Sequence, residues 1–165
     1  MMTERLYYTN TYLDRFDATV AAVLSVQART AVLLDRSAFY PASGGQPHDS
    51  GTLTWEGGTA RVEEIVAEDG EVLHLLAEGQ PAPPVGSAVK GEIQWARRFD
   101  HMQQHSGQHL LSQVFERLYA METVSVHIGP EENTVDLSTS GLDVAQMEAA
   151  EALVNEKVFA ALQIR

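Results

Sequence analysis

The 165-residue sequence predicts an α+β chain, a small antiparallel β-barrel followed by a helix-strand-strand-helix lobe. Three observations predict it. Short runs rich in Val, Leu and Thr alternate with a period of two over the first hundred residues, the period changes to 3.6 near Ala96, and glycine, proline and aspartate cluster between the runs.

In chain order, Ala18–Gln27, Thr30–Asp35, Gly51–Trp55, Ala60–Val66 and Glu71–Leu76 read as strands separated by Gly- or Asp-containing turns. Gly57-Gly58 and Asp69-Gly70 are the hairpin signals, because such pairs tolerate positive φ. The run Gly79 to Gly86 holds three prolines, which lack amide donors, so it predicts an extended loop before a last strand, Ala88–Trp95. A helix over Ala96–Tyr119 follows from Phe99, Met102, Leu110, Leu111, Val114, Phe115 and Leu118 at three- and four-residue steps. Two further strands, Thr123–Ile128 and Thr134–Leu137, flank Gly129-Pro130-Glu131-Glu132-Asn133. Asp143 is the expected N-cap of a second helix, carried by Met147, Ala150, Leu153, Val154 and Val158 and running to the final residues. The change of period divides the chain into a barrel, 1–94, and a second lobe, 95–165.

Composition removes several classes of function. With 44% apolar and 21% charged residues the chain is a folded globular protein, not a disordered one. Apolar stretches such as Val20–Val26 are far shorter than the ~20 residues of a membrane span, and no signal-like segment opens the chain, which makes the cytoplasm the expected location. The absence of cysteine excludes thiol catalysis and thiolate metal ligands from these residues. A net charge of −12 opposes general attraction to nucleic acid, so a polyanionic partner requires a local basic spot; Arg97 and Arg98 are the candidates.

The densest chemical signal lies in the first predicted helix. His101, His105 and His109 are spaced four residues apart, which brings His105 and His109 within about 6 Å on one face, a common way for a helix to hold a divalent metal. Two imidazoles do not complete a zinc site; His101, His127 and Asp136 are the possible third ligands within the chain. His48 and His74 read as ordinary surface residues. A second signal is Ser43-Gly44-Gly45-Gln46, a tight loop whose exposed amides suit close approach to a ligand or anion.

Phe39-Tyr40-Pro41-x-Ser43-Gly44-Gly45-Gln46-x-x-Asp49-x-Gly51 and, about 60 residues later, His105-x-x-x-His109-Leu110-Leu111 together resemble the alanyl-tRNA editing family. That family comprises free-standing AlaX-type proteins and the editing domain of alanyl-tRNA synthetase, and the resemblance covers roughly residues 5–165. It implies hydrolysis of the ester that joins serine or glycine to tRNA(Ala). It further implies zinc bound by His105 and His109 together with a Cys-x-x-x-His pair further along, and a barrel that carries the glycine-rich motif. By the same resemblance His127, in His127-Ile128-Gly129, matches a polar strand residue of the family and joins Gln46 at the reacting centre, while Ser43, Gly44 and Gly45 contact substrate. The sequence departs from the pattern in having no cysteine and in ending on a helix before the expected second pair. The chain is therefore expected to be a piece of a longer protein with half of the metal site. The alternative function is a non-catalytic RNA- or protein-binding module with the same fold.

Overall fold

The computed structural model describes residues 2–129 and 132–163. By backbone contacts the chain divides into two compact units, Met1–Asp100 and His101–Arg165.

The first unit is built on a closed antiparallel barrel. Its strands are β2 (Arg15–Val26), β3 (Arg29–Leu34), β5 (Gly51–Trp55), β6 (Gly58–Glu68), β7 (Glu71–Leu76) and β8 (Ala88–Ile93), in the order β2-β3-β7-β6-β5-β8, with β8 returning to β2. Alternation fills the interior: Phe16, Ala18 and Val20 of β2 and Val89 and Ile93 of β8 join Leu53, Val62, Ile65 and Phe39 in one buried cluster. Beside the barrel, β1 (Glu4–Arg5) pairs in parallel with β4 (Arg36–Ser37). These two-residue strands carry no readable period, which is why the sequence does not announce them.

Hairpin chemistry agrees with the sequence at Asp69-Gly70, where φ is +47° and +83°. It differs at two places. The β5–β6 turn falls on Glu56-Gly57, one residue earlier than expected. The β2–β3 turn is Gln27-Ala28, at φ +50° and +64°, and contains neither glycine nor aspartate. Six strands' worth of closure pins this hairpin in the left-handed region against local preference.

The second unit contains most of α1 (Trp95–Tyr119), the antiparallel hairpin β9 (Thr123–Ile128) and β10 (Asn133–Leu137), and α2 (Val144–Phe159). Residues 130 and 131, the middle of the predicted β9–β10 connection, lie outside the described residues. Val114 and Phe115 of α1 and Ala150 of α2 form a small core, flanked by Leu110, Leu111, Leu153 and Val154. Asp143 caps α2 as expected, its carboxylate accepting from Gln146 N while the Gln146 side chain accepts from Asp143 N. The helix does not run to the final residues: it stops at Phe159, and Ala161 takes φ +48° where a glycine would be easier. Met147 and Val158, expected in a core by their spacing, are 47% and 59% exposed, because no described element covers that side of α2. No described helix is long and apolar enough to cross a membrane.

Candidate functional site

Each unit carries its own part of the predicted set of residues. In the second unit, one helical turn places His105 and His109 with their Nε2 atoms 3.1 Å apart and their ring centroids 4.7 Å apart. Two nitrogen ligands about 2.0–2.1 Å from a zinc ion at the tetrahedral angle stand about 3.3–3.4 Å apart, so the pair already points both nitrogens at one place. Burial, and then the neighbouring His109, lower the His105 pKa. The neutral, ligating form is favoured, and a single shared proton or a cation resolves the contact between the two lone pairs.

Around that pair, Asn133 Nδ2 donates to Gln104 Oε1 at 2.8 Å and Thr123 Oγ1 donates to Ser112 Oγ at 2.8 Å. These bonds bracket the histidine turn and lay the β9–β10 hairpin along it. His127 lies opposite Thr134 and is exposed; Asp136 lies opposite Ser125, whose hydroxyl donates to Asp136 Oδ2. No group of three His, Asp or Glu able to hold a metal comes together among the described residues. The expectation of a third ligand from His101, His127 or Asp136 is therefore not met. His101 is 6% exposed, since a four-residue step turns the helix by 400° and each successive histidine drifts about 40° from the last. Thus a zinc ion fits two ligand positions here, and the described residues supply no others.

In the first unit the glycine-rich motif is a closed loop. Ser43 and Gln46 exchange two backbone hydrogen bonds, 3.1 and 3.0 Å, across Gly44 and Gly45 at φ +59° and +80°. Side chains avoid two consecutive positive φ values, so the pair of glycines makes the turn. Ser43, Gly44 and Gly45 are exposed, and the turn's own bonds use neither glycine amide; Gln46 is buried at its base. The loop's ends are stapled by Asp49, whose N–H donates to Tyr40 O at 2.9 Å and whose Oδ2 accepts from Tyr40 N at 2.7 Å. Gly51 closes the motif because a Cβ there would stand 2.1 Å from Glu92 O and 2.8 Å from the Phe39 ring.

Arg98 serves this staple and not a phosphate. Its guanidinium is 3% exposed, its Nε donates to both Asp49 oxygens at 2.9 and 3.0 Å, and Nη1 and Nη2 donate to Thr11 O and Ala38 O. The expected tRNA contact at Arg98 is thus corrected: the side chain is buried, and its Nε and Nη2 are spent on Asp49 and Ala38 O, so its charge is committed inside the barrel unit. Arg97 remains, half-buried, with Nε donating to His48 O at 3.2 Å. Asp49, inside the motif but given no role by sequence reasoning, is the residue that organises the loop. Only the fold reveals its partner 49 positions away.

His74 also departs from expectation, being fully buried on β7. Its Nδ1 donates to Val32 O at 2.9 Å, which leaves Nε2 to accept from Ser37 Oγ at 2.7 Å; that hydroxyl in turn accepts from Phe39 N at 3.1 Å. Burial lowers its pKa to about 4. Although serine and histidine are within hydrogen-bond reach, both are sealed from solvent, so the pair is a structural network at the start of the glycine-rich segment.

A family model described as tRNA synthetases class II (A) matches residues 3–97, which takes in the barrel and its glycine-rich loop. The chain belongs to that family. Its relatives include the alanyl-tRNA editing protein AlaX-L of Pyrococcus horikoshii, 33% identical over 94% of this chain and 39% of that protein. AlaX-M of Methanosarcina mazei is 35% identical over 94% of this chain and 63% of that protein, and the alanine–tRNA ligase of Pyrobaculum neutrophilum is 38% identical over 86% and 15%. A match to 94% of the chain necessarily includes the histidine pair as well as the glycine-rich loop. The chain spans between two fifths and two thirds of the length of these editing relatives.

Proposed function

We propose that this chain contributes to the hydrolysis of seryl- or glycyl-tRNA(Ala), with His105 and His109 as two ligands of a zinc ion. The observation that carries the proposal is the convergence of their Nε2 atoms, 3.1 Å apart, in a chain whose relatives are named alanyl-tRNA editing proteins. An aminoacyl ester is an activated acyl group and needs no covalent nucleophile, only a positioned water and a stabilised oxyanion. Zinc, when bound, supplies Lewis-acid stabilisation of that oxyanion. We assign His127, exposed on β9, the strand whose Thr123 donates to Ser112 of α1, to take the proton of the attacking water and pass it to the departing ribose oxygen. The exposed Ser43-Gly44-Gly45 turn is assigned to the amino acid or the terminal ribose, with Gln46 holding its base. Location in the cytoplasm, where charged tRNA is used, follows from this reading.

The test is serine release from Ser-tRNA(Ala), with zinc content measured on the tag-free protein at a pH where imidazole is neutral. The expected result is stoichiometric zinc and measurable deacylation, both lost in His105→Ala and His109→Ala. Absence of zinc together with absence of serine release overturns the proposal. It would favour a non-catalytic binding module, a reading supported by the lack of a third ligand among the described residues.

A further inference from the structure

On the barrel, β5, β6 and β8 and the start of α1 enclose an open groove of about 780 Å³. Its lining is polar, with Arg61, Arg97, Ser50 and Gln94 among its residues, and two carboxylates, Glu63 and Glu92. Both carboxylates are already committed. Glu63 binds Arg61 at 2.8 Å and Arg29 at 3.1 Å, and Glu92 binds Arg15 at 2.9 Å. The two lining arginines balance the two lining carboxylates, and Arg15 and Arg29 from outside the groove take up part of the carboxylates' charge, an uncommon balance in a chain of net charge −12.

Three of the lining side chains keep unspent donors. Arg97 spends Nε on His48 O and keeps both terminal nitrogens; Arg61 spends Nη2 on Glu63 and keeps Nη1 and Nε. Gln94 spends its carbonyl on the Ser50 hydroxyl, which leaves its amide hydrogens as donors. These donors suit a ligand that accepts hydrogen bonds, and two guanidiniums suit phosphate oxygens.

We propose that this groove takes the phosphodiester backbone of tRNA, with Arg61 and Arg97 as its cationic contacts. The identity of the nucleic acid rests on the editing function proposed above; the groove's demand for a polyanion does not. Phosphate contacts position a nucleic acid without reading its sequence, so the groove holds the tRNA while other residues meet the aminoacyl end.

The test is the affinity of this chain for uncharged tRNA(Ala) across a salt series, read alongside serine release from Ser-tRNA(Ala). Arg61→Gln and Arg97→Gln are each expected to weaken binding about threefold to tenfold and to reduce the slope of log K against log salt by about 0.7–0.9. Arg97→Lys, which keeps the charge, should retain most of the affinity, and Lys157→Gln on α2 should change nothing. Unchanged thermal unfolding of the glutamine variants establishes that a loss is not misfolding. If affinity and salt slope survive both glutamine substitutions, or the wild type has no affinity for tRNA, the groove assignment is overturned. Serine release with an unaltered KM in both variants rejects the groove and leaves editing standing. Arginine-dependent affinity without serine release does the reverse.

Discussion

At the scale of single residues, three buried polar side chains, His74, Asp49 and Arg98, govern how the first unit responds to pH and mutation. Burial holds His74 at about 4, well below the ordinary 6.5 at which an unfolded chain would take up its proton. The unfolded state therefore binds more protons between these values, so stability from this group is complete above about pH 6.5 and drains away as pH falls toward 4. Urea unfolding at pH 7 and pH 5 should show a loss of about 2 kcal/mol, on the way to a limit of roughly 3 kcal/mol below pH 4. His74→Gln should flatten that pH dependence even though its own baseline is lower. Breaking the Asp49–Arg98 pair is expected to be worse: Arg98→Met strands a carboxylate that is 0% exposed, a change of about 3–5 kcal/mol measurable by denaturant titration. Neither effect was legible in the sequence. Arg97 and Arg98 are neighbours of the same type, yet one lines a groove and the other fills a buried pocket, because Asp49 lies against only one of them.

At the scale of elements, turns and caps decide how closely local preference matches the final structure. The bounds of β5, β7 and β9 coincide with the runs seen in the sequence, since each is bounded by a break in alternation that chemistry enforces. The Gln27-Ala28 hairpin is the exception, and it offers a gain: replacing it by Asn-Gly should stabilise the barrel by about 1 kcal/mol or more, read as a rise in Tm. Asp143→Ala removes a reciprocal cap and should cost about 1 kcal/mol, visible as fraying of α2 in amide exchange. The helix period placed His105 and His109 on one face correctly. It could not tell that His101, one turn earlier, is buried, nor that Asp136 is taken by Ser125, because both depend on neighbours distant in sequence.

At the scale of the whole molecule, the two units differ in how much apolar surface they bury. Among the described residues, fifteen buried ones form the main barrel cluster, whereas the second unit's cluster has three, with Val158, Phe159 and Leu162 left 59%, 87% and 66% exposed. Hydrophobic burial is the dominant driving force, so a fragment 1–100, which retains the Asp49–Arg98 staple, should fold cooperatively alone. A fragment 101–165 should not; circular dichroism and thermal unfolding of the two decide it. The sequence by itself determined the β-then-α order, the closed glycine turn at Gly44-Gly45 and the paired imidazoles, because alternation, positive φ and helical spacing are local properties. Tertiary structure alone decided which polar groups are spent and which are left to act. The closed barrel seals His74 and Ser37, commits Arg98 to Asp49, neutralises Glu63 and Glu92, and leaves Arg61 and Arg97 with donors facing solvent. The physical reason is that a side chain's chemistry is set by its desolvation and its partners, and barrel closure brings those partners from strands far apart in the chain.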